Sequence, residues 1–401
     1  MKFLDDPKFS EVRRRAELSA LSKSDLDSMD MPSGVSSDDI WHLVQVLRRQ
    51  VAIVSIVPTF PEDSFQYVWY ALPRESQKGV ESILEKLFKG SGIEECLRRE
   101  EIVEASIHPI IEEVMAALEW DGKSSTYEHL RAVIKDENTP WCCEERLAKN
   151  YYRILLESFR EQTGSIDCVD IYRQLVEGVE TVNDLDQNKV AILQDFTEKA
   201  FQESDASKIC YSAHFTEYTT RYDSFGQFSA LTGSLIRRLF LIESGYPLLG
   251  LVSPFKAMLA KSNPKGLSDL CSRHVDSTGV SLDATGYYAA YIKTVELEVE
   301  SLLVELEMTS TRRRAVLRQI KDSGRLNYRQ KELLTSFVNG SRKEVSVYDY
   351  RDGFQVAYST ARADLTALLK RNFITVSTLE GKTIIYRPCQ KLEGVIENLL
   401  A

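Results

Sequence analysis

The sequence lacks the cysteine pairs that are typical of zinc sites and disulfide-rich proteins. Its seven cysteines are scattered over 401 residues, and no two have C-x-x-C spacing, which argues against a zinc ribbon and favours free thiols. A long apolar run is also missing, because the stretch around 51–57 is too short to cross a bilayer. Residues 1–6 turn acidic before any apolar segment, so we expect no secretory signal and a cytoplasmic protein.

The groupings of residues that metal or covalent catalysis needs are missing as well. The five histidines are isolated from other metal-binding side chains, and neither a Walker loop nor a Ser-His-Asp order is present. The sequence therefore predicts no metal and no cofactor. From Ile93 over most of the next 200 or so residues, strand-like alternation is scarce while apolar residues recur at helical spacing, which favours an all-α core.

Charge is unevenly distributed along the chain. The net charge is −10, yet residues 312–401 hold 17 basic and 9 acidic side chains, a net of +8, so the rest carries −18. This division argues against nonspecific nucleic-acid binding by the first 311 residues and permits it in the last segment. The first 35 residues are charged, Ser-rich and weakly periodic, and we interpret them as a flexible lead-in to a helix capped by Ser36 and Ser37.

The basic last segment has a pattern of helices followed by a β-hairpin. Apolar residues at three- and four-residue spacing predict the helices, and β-branched runs around a turn predict the hairpin. Ser359 is expected to cap the last helix. Three helices and a hairpin in this order are typical of a winged helix. The predicted elements are helices over 312–323, 328–338, 345–352 and 359–371, and strands over 374–377 and 383–386.

A winged helix of this charge is expected to bind duplex DNA. The major groove accepts one α-helix, and the first turns of that helix reach the base edges. We expect modest affinity, because Asp349, Asp352 and Asp364 lie near the predicted contact surface. Docking on a protein is the alternative for this segment. The predicted contact residues are Tyr358, Ser359, Thr360, Arg362, Lys370 and Arg371 in the last helix, and Lys382 and Arg387 in the hairpin.

Residues 360–365, Thr-Ala-Arg-Ala-Asp-Leu, resemble the third helix of the winged-helix domains that end many bacterial Fic proteins. That helix reads T-A-x-R-D-L in the family, so Ala363 takes the family arginine position and Arg362 lies one place earlier. A shift of one residue rotates a side chain by about 100° around a helix. The resemblance therefore implies a winged helix without identifying the base that it would read.

Three further stretches resemble the Fic family in their order and spacing. Residues 120–122, Trp-Asp-Gly, with Thr126 are similar to the I-E-G-x-x-T-T that opens the family core. Residues 238–247 are similar to the helix after the central family motif, and residues 283–285, Asp-Ala-Thr, to a later G-D-x-T stretch. This resemblance covers roughly residues 100–390 and implies a Fic-like helical core.

The central Fic motif, H-P-F-x-D/E-G-N-G-R-x-x-R, supports transfer of a nucleotide monophosphate, and the resemblance places it at residues 223–234. Losing both of its guanidiniums removes phosphate contacts of about 1.5–3 kcal/mol each, so AMP transfer is not expected here. We interpret Arg237 and Arg238 as solvated or interdomain residues. The degenerate positions are Asp223 for the base, Gln227 for the metal-binding acid, Phe228, Ser229 and Ala230 for the phosphate cradle, and Leu231 and Ser234 for the arginines, while Phe225 is retained.

Together these observations predict a mainly α protein with an N-terminal helical extension, a Fic-like core and a C-terminal winged helix with a small hairpin wing. The predicted domains are 1–99, 100–310 and 311–401. The predicted function is a non-catalytic regulator or adaptor that binds duplex DNA, with a protein partner or homodimer as a further expectation and no membrane contact. The alternatives are a Fic-type nucleotidyl transferase with a rebuilt active site and a protein-binding scaffold.

Overall fold

The structure, a computed structural model, is mainly helical, which confirms the mainly α prediction. It describes residues 6–59, 63–94, 97, 99–136, 138–179, 185–259, 270–277, 279–378 and 384–400. The chain divides into two compact units, Met1–Gly92 with Val103–Leu303 (unit 1) and Ile93–Ile102 with Val304–Ala401 (unit 2). Among the described helices, none combines the length and the apolar character that crossing a bilayer requires.

Up to residue 322 the chain forms fifteen described helices and four described strands. In chain order these are α1 (Pro7–Leu18), α2 (Lys23–Asp27), α3 (Ser37–Gln50), β1 (Ile53–Val54), β2 (Val68–Tyr70), α4 (Arg74–Glu94), α5 (Arg99–Ala105), α6 (Ile107–Trp120), α7 (Tyr127–Ile134), α8 (Cys143–Arg160), α9 (Cys168–Leu175), α10 (Gln187–Ala200), α11 (Asp205–Tyr222), α12 (Ser229–Glu243), α13 (Pro247–Leu251), α14 (Phe255–Leu259), β3 (Ser272–Asp276), β4 (Gly279–Asp283) and α15 (Thr285–Asp322).

The N-terminal segment is folded, so the prediction of a flexible lead-in is wrong. Asp6 caps α1 and Pro7 takes a first-turn position, while Ser22 forms a capping box on α2. Apolar side chains from α1, α2 and α3 form a small core, including Val12 and Leu26. In the first 35 residues apolar positions are few among many charged ones, so the helical periodicity is weak in the sequence.

A small mixed sheet corrects the expectation of an all-α core. Its strand order is β1-β2-β4-β3, with β2 and β4 parallel and the other two pairs antiparallel. Trp69 and Tyr70 are fully buried on β2. The strands are short, and β2 pairs with the distant β4, Val68 opposite Leu282, so local periodicity carries little sign of this sheet.

Helix α12 lies at the centre of unit 1. Every residue from 229 to 242 is buried, and the helix packs against α6, α8, α9, α11 and α13. A helix buried on all sides has no solvated face to hold polar groups. At Gly233 a Cβ atom would approach the Thr219 hydroxyl to 1.9 Å and the Phe215 carbonyl to 2.9 Å, so α11 and α12 pack too closely for a larger residue.

From residue 328 the elements are α16 (Tyr328–Val338), β5 (Val345–Ser346), α17 (Val347–Phe354), α18 (Tyr358–Lys370), β6 (Ile374–Thr378), β7 (Ile384–Pro388) and α19 (Leu392–Leu400). Unit 2 builds a second core around a small antiparallel sheet of order β5-β7-β6. The helix predicted over 328–338 is confirmed, with an Asn327 capping box, and the predicted hairpin is found. Ser359 is not a cap, because α18 begins one residue earlier and its N-cap Ala357 has no side chain to bond.

Replacing Leu26 tests whether the N-terminal helices contribute to stability. Leu26 is fully buried in the core of α1, α2 and α3, so Leu26→Ala should lower the free energy of unfolding by about 2–5 kcal/mol. Denaturant unfolding of the full chain measures this. Arg13→Ala on the exposed face of α1 is the control and should change stability by less than about 0.5 kcal/mol. Equal stability of both variants and the wild type would contradict a folded N-terminal core.

Candidate functional site

The turn that leads into α12 has an unusual backbone. Asp223, Gly226 and Phe228 all adopt left-handed conformations, with φ of 47°, 62° and 66°. The N-cap Phe228 provides no side-chain oxygen for the helix. Ser229 holds the turn instead, because its hydroxyl accepts from the Phe225 N–H at 3.0 Å and lies 3.0 Å from Asp223 Oδ1 and 3.1 Å from the Gly226 carbonyl.

The free N–H groups at the start of α12 are occupied by a carboxylate of the same unit. Asp121 directly follows α6, and its Oδ1 and Oδ2 accept from the N–H groups of Ala230 and Leu231, each at 3.1 Å. A helix N-terminus is a natural anion site, because its N–H groups and dipole favour negative charge. Asp121 therefore takes the place that a phosphate oxygen could otherwise use.

Burial dominates the electrostatics of Asp121. It raises the pKa of this carboxyl to about 7, while the bonds from Ala230 and Leu231 act to lower it and Asp223 acts to raise it. The two carboxylates therefore make this turn an acidic environment. Such a setting opposes the approach of a further anion.

Aromatic packing closes the side of the turn. The ring of Tyr172 stacks on Phe225 with centroids 5.2 Å apart, and its hydroxyl lies 3.5 Å from the Gln227 carbonyl. Phe225 is fully buried. The side chain of Gln227 is half-buried.

Further along α12, two buried arginines share one buried glutamate. Arg237 Nη2 lies 3.1 and 3.3 Å from the two carboxylate oxygens of Glu113, and Arg238 Nε lies 2.9 Å from Oε1. All three residues are at most 1% exposed. The guanidiniums also donate to the carbonyls of Val252 and Gly250. The interpretation of Arg237 and Arg238 as solvated or interdomain residues is therefore wrong.

The Glu113 cluster extends to neighbouring hydroxyls. Ser234 donates to Glu113 Oε1 at 2.6 Å, and the Tyr151 hydroxyl lies 2.9 Å from Ser234 Oγ. Burial acts to raise the pKa of Glu113, but Arg237 and Arg238 hold it below its ordinary range. Two cations around one anion leave about one net positive charge inside unit 1.

The degenerate motif positions thus belong to packing and to internal hydrogen bonds. Leu231 is buried and gives its N–H to Asp121, and Ser234 is buried against Glu113. Sequence reasoning missed Glu113. The available signal was an acid on the face of α6 that otherwise carries Ile110 and Ala117, since a lone charge on an apolar face needs a buried partner.

In unit 2 most of the predicted DNA-contact residues lie along α18. Tyr358, Ser359, Arg362, Lys370 and Arg371 are exposed. The first four lie on α18, and Arg371 is its C-cap residue, so all five are open to solvent along one helix.

The other three predicted contact residues are Thr360, Lys382 and Arg387. Thr360 is half-buried, and Lys382 lies outside the described residues. Arg387 on β7 is exposed but pairs with Glu344 at 2.8 Å.

Two of the three aspartates expected near the contact surface have structural roles. Asp364 is buried and accepts from Asn327 Nδ2 at 2.6 Å and from Arg329 Nε at 2.8 Å, which corrects its predicted place at the surface. Asp349 forms the capping box of α17. Asp352 is exposed and pairs with Arg351 at 2.6 Å.

Exposed aromatic rings lie beside the start of α18. The rings of Tyr348 and Tyr358 are 5.5 Å apart, and the guanidinium of Arg351 lies 5.2 Å from the centroid of the Tyr348 ring. Arg362 and Tyr358 also act electrostatically on Tyr386 of β7. One patch therefore combines aromatic rings with basic groups.

Comparison of the chain with protein-family models gives no match, and comparison with curated proteins gives none either. Within the described residues, no group of three or more His, Cys, Asp or Glu side chains is arranged to hold a metal ion.

Replacing Glu113 tests the buried ion cluster. Glu113→Gln leaves the charges of Arg237 and Arg238 without a counter-ion, so the free energy of unfolding should fall by about 3–5 kcal/mol. The neighbouring Glu112 is 43% exposed and pairs with Lys256 at the surface, and Glu112→Gln should cost less than about 0.5 kcal/mol. Similar losses for both variants in denaturant unfolding would show that the cluster does not depend on the Glu113 charge.

Replacing Asp121 tests the charge at the start of α12. Because its pKa is raised to about 7, the folded protein keeps a proton that the unfolded chain loses near pH 4, and the contribution of Asp121 to wild-type stability should fall between about pH 4 and about pH 7. Asp121→Asn cannot titrate, so its stability relative to the wild type should rise over that range. Unfolding measured in a pH series checks this, with exposed Asp195→Asn as the control. Parallel curves for Asp121→Asn and the wild type would contradict it.

Proposed function

We propose that the protein is a non-catalytic regulator or adaptor that binds duplex DNA through unit 2, with a Fic-like helical body in unit 1. The observation that carries the non-catalytic part is the Asp121 carboxylate on the N–H groups of Ala230 and Leu231. A polyphosphate seated at this helix start would have to displace that carboxylate. It would also have to approach a second acid, Asp223.

The disposition of positive charge supports the same proposal. A phosphate-transfer site needs cations directed at the phosphate oxygens. The two guanidiniums of α12 are committed to Glu113 and to backbone carbonyls in the interior. Turning either Arg237 or Arg238 toward the helix start would take one of its two cationic partners from the buried Glu113, which is unfavourable.

The DNA-binding part rests on α18 and its surroundings. A helix, a strand, two helices and a hairpin follow one another in α16, β5, α17, α18, β6 and β7, and this order supports a winged helix. The first turns of α18 expose an aromatic ring, a hydroxyl and the guanidinium of Arg362. Such groups suit contacts with phosphates and base edges in a major groove.

The balance of charges supports weak and salt-sensitive binding. Arg351 pairs with Asp352, and Arg387 pairs with Glu344. These acids reduce the positive potential that DNA would meet, so few phosphates are neutralised. Affinity then depends on a small number of counter-ions released from the DNA.

A nucleotidyl transferase with a rebuilt site is the second candidate. What favours it is the raised pKa of Asp121, about 7, since the carboxyl can then become neutral near neutral pH. A neutral carboxyl is a weaker hydrogen-bond acceptor for the α12 N–H groups than a carboxylate, so a phosphate displaces it more easily.

Duplex binding by the full chain tests the proposed function. We expect random-sequence duplex DNA to bind at low salt, and Arg362→Ala to weaken binding and lower the slope of log affinity against log salt by about 1. Arg312→Ala is the control, because Arg312 forms a two-pronged pair with Glu397 and should leave the slope unchanged. Fluorescence anisotropy over a salt series measures both variants.

Other outcomes separate the alternatives. No binding by the wild type at low salt would favour the protein-binding scaffold. Thermal protection by ATP, CTP, GTP or UTP with Mg²⁺ would favour the transferase, and the non-catalytic proposal would then be wrong.

A further inference from the structure

Unit 1 contains a cavity of about 650 Å³ that is separate from the turn before α12. Its walls come from α2, α3, α4, the end of β4 and the first turns of α15. Ala289 and Ala290 contribute small side chains to its lining, and Trp41, Leu21 and Ile292 give it apolar surface. A space of this size matches the pockets that proteins use for small molecules.

Two oppositely charged residues on the cavity wall are buried but incompletely paired. Arg48 is 5% exposed and Asp283 is 2% exposed. Arg48 Nη1 lies 3.6 Å from Asp283 Oδ2, which is too long for a hydrogen bond. In the described structure, Arg48 Nε and Asp283 Oδ2 have no hydrogen-bond partner. Buried polar atoms of this kind usually have partners, and an orphaned one points to a missing group.

Other contacts hold this pair in place. Arg48 Nη2 donates to the Leu21 carbonyl at 2.7 Å, and Asp283 Oδ1 accepts from the Thr285 N–H at 3.0 Å at the start of α15. The guanidinium also lies 5.4 Å from the centroid of the Trp41 ring. The two side chains are therefore fixed next to each other, each with one free polar atom.

The charges around the cavity restrict what it can hold. Its described lining has three basic and four acidic side chains, so a polyphosphate or another strong anion would meet net repulsion. A molecule with one positive and one negative group a few bonds apart would match Arg48 and Asp283 together. Its apolar remainder would meet the aromatic and aliphatic wall.

We propose that this cavity binds a small zwitterion of the α-amino-acid class, with its carboxylate on Arg48 and its ammonium on Asp283. Carboxylate–guanidinium and ammonium–carboxylate contacts are charge-assisted and directional. The apolar surface around Trp41 favours amino acids with large apolar or aromatic side chains. This site lies entirely in unit 1 and does not depend on DNA binding.

Calorimetric titration of the full-length protein with each of the twenty common L-amino acids tests the proposal. At least one apolar or aromatic amino acid should bind, and its amide and its N-acetyl derivative should bind more than about tenfold more weakly, since each lacks one charged group. If none of the amino acids binds at millimolar concentration, the proposal is wrong. Binding of the amide or of the N-acetyl derivative as tight as that of the parent amino acid would also overturn it.

A matched variant locates the site. Asp283→Asn keeps the oxygen that accepts from Thr285 but removes the charge that the ammonium would meet, so binding should weaken by more than about tenfold. Asp30→Asn, at a residue that is 85% exposed, should bind as the wild type does. Unchanged binding by Asp283→Asn would overturn the assignment of the cavity. If Asp283→Asn fails to fold, the comparison of the amino acid with its two derivatives on the wild type decides.

Discussion

The constraint on which unit 1 depends is the burial of α12 on every side with two arginines inside it. A helix in this position can pack only if its polar groups find partners in the interior. Glu113 provides that partner for Arg237 and Arg238, and the carbonyls of Val252 and Gly250 accept one further N–H from each guanidinium. One carboxylate therefore fixes the position of α6 on α12 and also holds the chain that follows α12.

The same pair of helices determines the chemistry at the start of α12. Because α6 is held against α12, the residue after its last turn, Asp121, reaches the N–H groups of Ala230 and Leu231. The helix start is thus satisfied internally, and the positive charges of the helix are directed elsewhere. The internal carboxylate is consistent with our proposal that residues 223–234 form a degenerate motif, since a site without cations has little use for an open anion-binding helix end.

In unit 2 the net positive charge of the sequence overstates what α18 can offer a polyanion. Arg329 is directed at the buried Asp364, and Arg387 at Glu344. Arg362 stands exposed on the first turns of α18 beside Tyr358. Position and pairing, more than the count of basic residues, decide how strongly such a surface attracts DNA.

The sequence by itself determined the features that depend on near neighbours. The cap at Ser36, the helix over 328–338 and the hairpin in the last segment all rest on residues a few positions apart, so local spacing was enough to predict them. The folding of the N-terminal helices was missed because their apolar residues are few. The sheet was missed because two of its paired strands lie far apart in the sequence. Only the tertiary structure decided that Glu113 meets Arg237, 124 residues away, and that Asp121 meets Ala230, 109 residues away. Those contacts arise from how helices pack, and no local pattern in the chain specifies which distant charge will lie opposite.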